Sequence, residues 1–215
     1  MYQTRQKSVS LADRVFDKLE DDILLGRYEK GEVLTELGLV EALGVSRTPI
    51  REALHRLAEE RLIADTGKGS VVLGITRADV KDILDIRLAV EGLAAYYAAQ
   101  NIDPEDLQEL RHIVELQEFY TERQDTEHIR QMDDRFHSLI CTACGHQVIS
   151  DTLRPLQRKI KKFRRASISK VRRAGAAASE HRAIFEAIAA RDAELARECA
   201  TRHIQNAEHS ILEQQ

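Results

Sequence analysis

Asp133 and His137, in MDDRFHSLI, stand four residues apart, the spacing that puts two side chains on one face of a helix within reach of one ion. His181, in SEHRAIFEAI, and His203, in ATRHIQNA, each lie beside apolar positions of a further helical pattern. Brought together, three imidazoles and a carboxylate form an N₃O donor set suited to Zn²⁺, Ni²⁺ or a similar ion. Helical bundles build metal sites from facing helices in this way. Taken alone, each histidine reads more readily as an ordinary surface or capped residue.

A second constellation lies in GVSRTPIREALHRL, Gly44 to Leu57. With a period of 3.6, Ile50, Ala53, Leu54, Leu57 and Ala58 share one side of a helix, and Arg47, Thr48, Arg51 and His55 another. Ser46 is placed to cap that helix, its hydroxyl accepting from a backbone N–H one turn in. The two arginines then project from a helix N-terminus. Two arginines alone are compatible with a solvated surface face.

The elements around them add to the pattern. Ser10 is placed to cap a helix with Leu11, Val15, Leu19 and Ile23 inward, and Thr35 a second carrying Leu39, Val40 and Leu43. Gly44-Val45 is a short turn into the arginine helix, which makes a helix-turn-helix. LIADTGKGSVVLGI then reads as a β-hairpin with a glycine-rich tip, a wing. From about Thr76 the pattern is helical: runs near 78–100, 105–123, 127–144, 147–170, 173–190 and 192–212 predict six helices, with Asp103-Pro104 a cap and first-turn pair and Gly145 a C′ residue. The expected fold is mainly α: a winged helix-turn-helix of three helices plus a hairpin over 1–75, joined to an all-α six-helix bundle over 76–215.

Composition narrows the class. The chain has 215 residues, 43% hydrophobic, enough for a real core. It carries no apolar run near the ~20 residues of a membrane span, and MYQTRQKSVS lacks the apolar centre of an export signal, so a cytoplasmic protein without a membrane partner is expected. Cys141 and Cys144 in CTAC, with no second such pair, read as packed free thiols. Net charge is −4, and residues 1–75 hold 11 Lys/Arg against 13 Asp/Glu. Nucleic-acid affinity therefore depends on placement: Asp17, Glu20, Asp21 and Asp22 gather on the first helix and leave the Arg47/Arg51 face locally positive.

LGVSRTPIREALHRLAEERLI resembles the winged helix-turn-helix signature of the GntR family of bacterial transcription regulators. The all-helical second half resembles the family's FadR-type subgroup with an FCD effector domain. The resemblance implies a cytoplasmic, non-enzymatic homodimer that binds a pseudo-palindromic operator in double-stranded DNA and answers to a small-molecule effector. Arg47 and Arg51 match the family's base- and phosphate-contacting arginines, Ser46 and Thr48 match contacts beside them, and Gly67 or Gly69 matches a wing-tip glycine flanking Lys68. Leu37 stands where some members carry a DNA-contacting arginine, and Gly38 weakens the same helix.

For the helical half the resemblance implies one transition metal ion per chain, zinc or alternatively nickel: many FCD domains hold one through an Asp-x₃-His pair and two later histidines, and Asp133, His137, His181 and His203 all match. Two positions left open on an octahedral ion suit a bidentate carboxylate or hydroxy-carboxylate. Arg87 is placed to supply its counter-charge or to pair within its helix with Glu91 at i+4. Other functions are a metal-sensing regulator and a metal-dependent hydrolase, the last lacking an evident base and leaving the winged half idle. His55, His112, His128, His146 and His209 read as surface residues, His55 as a further groove-facing candidate. Arg154 to Arg173 holds ten basic and no acidic residues, with Leu153, Leu156, Ile160, Phe163 and Val171 marking a buried side; it reads as a solvated face, an anion funnel or a set of auxiliary phosphate contacts.

Overall fold

The computed structural model describes residues 10–213, so residues 1–9 of the stretch read for an export signal lie outside it. The described residues form two compact units, one ending at Thr76 and one beginning at Arg77. Among them no helix is long and apolar enough to cross a membrane.

The first unit runs α1 (Leu11–Leu24), β1 (Val33–Leu34), α2 (Glu36–Leu43), α3 (Arg47–Glu59), β2 (Ile63–Asp65) and β3 (Ser70–Val72). Ser10 starts α1 with a full capping box: its hydroxyl accepts from the Asp13 N–H at 3.0 Å while Asp13 Oδ2 accepts from the Ser10 N–H at 3.1 Å. Val15, Phe16, Leu19 and Ile23 pack on Ile50, Ala53, Leu54 and Leu57 of α3, each large side chain contributing about 1.5–3 kcal/mol by leaving water. Leu11, expected inward, is exposed, because it stands at the first helical position, before α1 reaches that core.

The acidic cluster of α1 also differs from expectation: Glu20 and Asp22 are buried. Position 22 shares its face with Val15 and Leu19, and position 20 with Phe16 and Ile23, by the 3.6 period. Asp22 is paired there with Lys18 and Arg27. β2 and β3 make the wing, pairing Ile63 with Val72 and Asp65 with Ser70. β1, two residues long and too short for a periodic signal, adds a third strand on the far side of β3, giving the order β1-β3-β2.

The second unit is six helices: α4 (Arg77–Asn101), α5 (Pro104–Glu122), α6 (Thr126–Ala143), α7 (Gln147–Ile168), α8 (Val171–Ala189) and α9 (Ala193–Leu212). Asp103 caps α5, accepting from the Asp106 N–H at 2.8 Å, and Gly145 takes the left-handed conformation after α6. α4 and α9 approach closely through small residues. A Cβ on Gly92 would stand 2.4 Å from Thr201 Oγ1 and 3.2 Å from the Arg197 carbonyl. Gly92, Ala94, Ala95, Ala98 and Ala99 are buried, as are Ala177 and Ala178. Val171, expected on the buried side of the basic stretch, is exposed: the helix breaks at Ser169-Lys170 and Val171 opens α8. Cys141 and Cys144 are buried free thiols.

Candidate functional site

Three helices of the second unit deliver His137 (α6), His181 (α8) and His203 (α9) to one buried point. His203 Nε2 lies 3.4 Å from both His137 Nε2 and His181 Nε2, and a ligand nitrogen from each falls within 4.8 Å of the others. Each outer nitrogen faces an acceptor. His181 Nδ1 meets Gln117 Oε1 at 2.7 Å, His203 Nδ1 meets Glu180 Oε2 at 2.7 Å, and His137 Nδ1 meets Glu91 Oε2 at 3.3 Å. An acceptor at Nδ1 places the imidazole proton there, so the Nε2 lone pairs point at one another. Burial, with His203 and His137 beside it, holds His181 well below the usual imidazole range; burial also lowers His137, against the pull of Glu91. Three imidazole nitrogens aimed at a common point are the set a borderline cation takes, and the residues fit such an ion.

Asp133 sits at the edge of this cluster. Its Oδ1 is 4.0 Å from His137 Nε2 and 3.9 Å from His181 Nε2, while its Oδ2 is 2.7 Å from Arg164 Nε. Arg164 belongs to the basic stretch for which a solvated face was one of three readings. It is buried instead, with Asp133 and Asp134 as its counter-charges. Gln117 and Glu180 were also missed. Gln117 carried a signal: it continues the apolar stripe Leu110, Ile113, Val114 at an inward position, and is fully buried.

Arg87 makes the intrahelical pair with Glu91 that was one of its two expected roles. It is fully buried, and its Nε donates to Glu91 Oε1 at 2.6 Å. Nη1 and Nη2 are buried with no hydrogen-bond partner among the described residues, a costly state for charged donors unless an acceptor reaches them. Burial alone would raise the Glu91 carboxyl, but Arg87 and His137 override it and hold it well below the usual range. A cavity of about 20 Å³, lined among others by Glu91, His137, Leu153, Gln157 and His203, lies against the triad; it is the size of one water.

The first unit presents the other constellation. Ser46, Arg47, Thr48, Arg51 and His55 are exposed along α3, opposite buried Ile50, Ala53, Leu54 and Leu57. Ser46 holds the cap position but its hydroxyl makes no cap hydrogen bond. The reason is Pro49: as the third helical residue it lacks the N–H that a capping hydroxyl engages. Arg51 is ion-paired through Nε to Glu36 Oε1 at 2.7 Å, a contact the sequence did not announce. A groove of about 560 Å³ runs between α3 and the wing, bordered by Arg51, His55, Gly67, Lys68 and Gly69. Gly67 and Lys68 are exposed at the tip, where the Gly67 N–H donates to Asp65 Oδ1 at 2.8 Å. Gly69 is half-buried, and a Cβ there would stand 2.9 Å from the Leu34 carbonyl. Leu37 is exposed on α2, and the other histidines, His112, His128, His146 and His209, are exposed.

Residues 11–72 match the bacterial regulatory proteins of the gntR family, and residues 82–206 match the FCD domain. The chain is 30% identical over 191 residues to the HTH-type transcriptional regulator YdhC of Bacillus subtilis, across 87% of this chain and 85% of that one. It is 29% identical to the HTH-type transcriptional repressor RspR of Escherichia coli, across 92% and 87%. A solved putative GntR regulator from Rhodococcus sp. RHA1 superposes with a TM-score of 0.71 at 26% identity, covering 94% of this chain and 97% of that one. E. coli McbR/YncC shares the fold with a TM-score of 0.80 at 24% identity, covering 96% and 99%. A helix-turn-helix with a wing, followed by this six-helix unit and matched along both, makes the chain a bacterial transcriptional regulator of the gntR family with an FCD domain, and not an enzyme.

Proposed function

We propose that the chain works as a homodimer on a pseudo-palindromic operator and that its helical unit takes a transition metal ion, zinc in the first instance, together with a small carboxylate or hydroxy-carboxylate that alters operator affinity. The observation that carries this reading is the link through Glu91 between His137 of the triad, whose three Nε2 atoms converge, and Arg87, whose Nη1 and Nη2 find no hydrogen-bond partner among the described residues. His137, His181 and His203 would hold the ion, with Asp133 as the fourth ligand, and a bound ion would polarise and anchor one carboxylate oxygen. Arg87 would take the carboxylate bidentately. Glu91 links the two parts, since one oxygen accepts from Arg87 and the other faces His137 Nδ1. A relative 33% identical over 147 residues is named the gluconate operon transcriptional repressor of Bacillus subtilis, which is in keeping with a hydroxy-carboxylate. In the first unit Arg47, Thr48, Arg51 and Ser46 would read and position on the major groove while Gly67, Lys68 and Gly69 bring the wing to the backbone.

The water-sized cavity supports a second reading, in which the ion alone is the effector. One experiment separates them: thermal-shift screening of small carboxylates against metal-loaded protein, followed by operator titration with metal and with the stabilising carboxylate. Arg87→Met should keep the metal and lose the carboxylate response. If metal alone produces the full change in operator affinity and no carboxylate binds, the sensor reading stands; if His181→Ala and His203→Ala keep full metal occupancy, the triad is not the metal site.

A further inference from the structure

The basic stretch on α7 is neither a uniform solvated face nor part of the triad. Between α6 and α7 lies a groove of about 290 Å³ lined by Asp134, Ser138, Arg154, Gln157, Arg158, Lys161 and Arg164. Arg154, Arg158 and Lys161 follow the i, i+4, i+7 spacing and so share one face of α7. Four cations, Arg154, Arg158, Lys161 and Arg164, line the groove beside one carboxylate, Asp134, which is engaged by Arg164 and by Arg165 at 2.8 Å; Arg164 also meets Asp133, and Arg154 meets Asp151 at 3.9 Å. The floor is unusual. Arg164 is buried with only 6% exposure, and its Nη1 has no hydrogen-bond partner. A buried guanidinium nitrogen left unpaired is costly unless an acceptor reaches it, and among the described residues no carboxylate other than Asp134 lines the groove.

We infer that this groove is a second small-molecule site, built for an oxyanion such as a phosphate monoester or a dicarboxylate, with Arg154, Arg158 and Lys161 as its outer cations and Arg164 at its floor. Guanidinium groups favour such ligands because their forked donors match carboxylate and phosphate oxygens. A concave space near 300 Å³ with a buried cation suits a small ligand rather than the backbone of a duplex, which meets surface side chains. Gln157 also lines the small cavity beside His137 and His203, so one side chain walls off the two spaces from each other. The site stands whether or not the triad holds a metal.

Isothermal titration with inorganic phosphate and, separately, with succinate tests this. The expected result is one saturable site per chain for at least one probe, weakened about tenfold or more in Arg158→Gln/Lys161→Gln and in Arg154→Gln, and retained in Arg87→Met. Which probe binds tells phosphate from carboxylate recognition. Arg154, with 45% of its side chain exposed, is the substitution least able to disturb the fold, and circular dichroism checks all variants. Absence of saturable binding to the wild type, equal binding by the folded charge variants, or loss in Arg87→Met alone would overturn the proposal. Loss of operator affinity in the charge variants with anion binding intact would assign the stretch to DNA backbone contact instead.

Discussion

Glu36, the first residue of α2, accepts a hydrogen bond from Arg51 Nε on the exposed face of α3 at 2.7 Å. The pair lies in the open, and the hydrogen bond lowers the Glu36 carboxyl and raises the Arg51 guanidinium relative to their usual values. If Arg51 contacts DNA as proposed, a carboxylate at this place would compete with phosphate for it and repel the DNA backbone. Glu36→Gln should therefore leave the fold unchanged, raise affinity for scrambled duplex, and steepen the salt dependence of binding by up to about one counterion. Titrations of operator and scrambled DNA at several salt concentrations check this; an unchanged slope would mean that Glu36 orients Arg51 without competing for it.

Arg47→Ala and Arg51→Ala address the proposed reading face itself. Both side chains point away from Ile50, Ala53, Leu54 and Leu57, so thermal stability should hold. Operator affinity should fall about 5- to 150-fold for an arginine that reads a guanine, with relaxed preference at one base pair. An arginine that contacts only phosphate should weaken operator and scrambled DNA alike. Gel-shift or anisotropy titrations against single-base operator variants distinguish the two.

The wing glycines separate by geometry. Gly67 has φ of 74° with open space around a hypothetical Cβ, whereas Gly69 has φ of 144° and would bring Cβ to 2.9 Å from both the Leu34 carbonyl and Val33 Cγ1. Gly67→Ala should destabilise by about 1 kcal/mol from backbone strain alone, and Gly69→Ala by about 1–3 kcal/mol, since strain and a backbone clash with β1 add. Thermal unfolding of the two variants checks the order; equal losses would show that β1 yields to the added methyl.

Much of this was legible in sequence for definite reasons. Asp103, Ser10 and Thr35 announce helix starts because side-chain caps are local, and the six helices of the second unit show because their apolar period is long. β1 was not legible: two residues carry no period, and its partner β3 lies across 36 positions of chain, from Leu34 to Ser70. The three histidines could be listed from sequence, but the tie between His181 and Gln117, 64 residues apart, could not. Of the three readings of the basic stretch, the solvated face fails at Arg164, because the 3.6 period turns it inward beside Ile160 and Ile168. Arg87 and Glu91 were read correctly as neighbours, yet only packing reveals that two guanidinium nitrogens remain unengaged.

Gln117 gives a test of the proposed metal centre that leaves every proposed ligand in place. Its Oε1 accepts from His181 Nδ1 at 2.7 Å across the α5–α8 contact, which fixes the tautomer and ring orientation that aim Nε2 inward. Gln117→Met keeps the volume and removes the acceptor, so His181 is free to adopt the other tautomer or to turn. Partners of this kind typically change metal affinity about 10- to 100-fold. Chelator competition should show a loss of that size in Gln117→Met, a larger loss in His181→Ala, and a smaller one in Gln117→Glu, which restores an acceptor to Nδ1. Rescue by the glutamate is the informative step. A merely structural glutamine at a fully buried position would make the charged replacement the most damaging of the three in metal affinity and thermal stability alike. If Gln117→Met binds metal as tightly as the wild type, orientation of His181 does not limit the site, and the stack of its ring on Phe136, 3.9 Å between centroids, is sufficient to hold it.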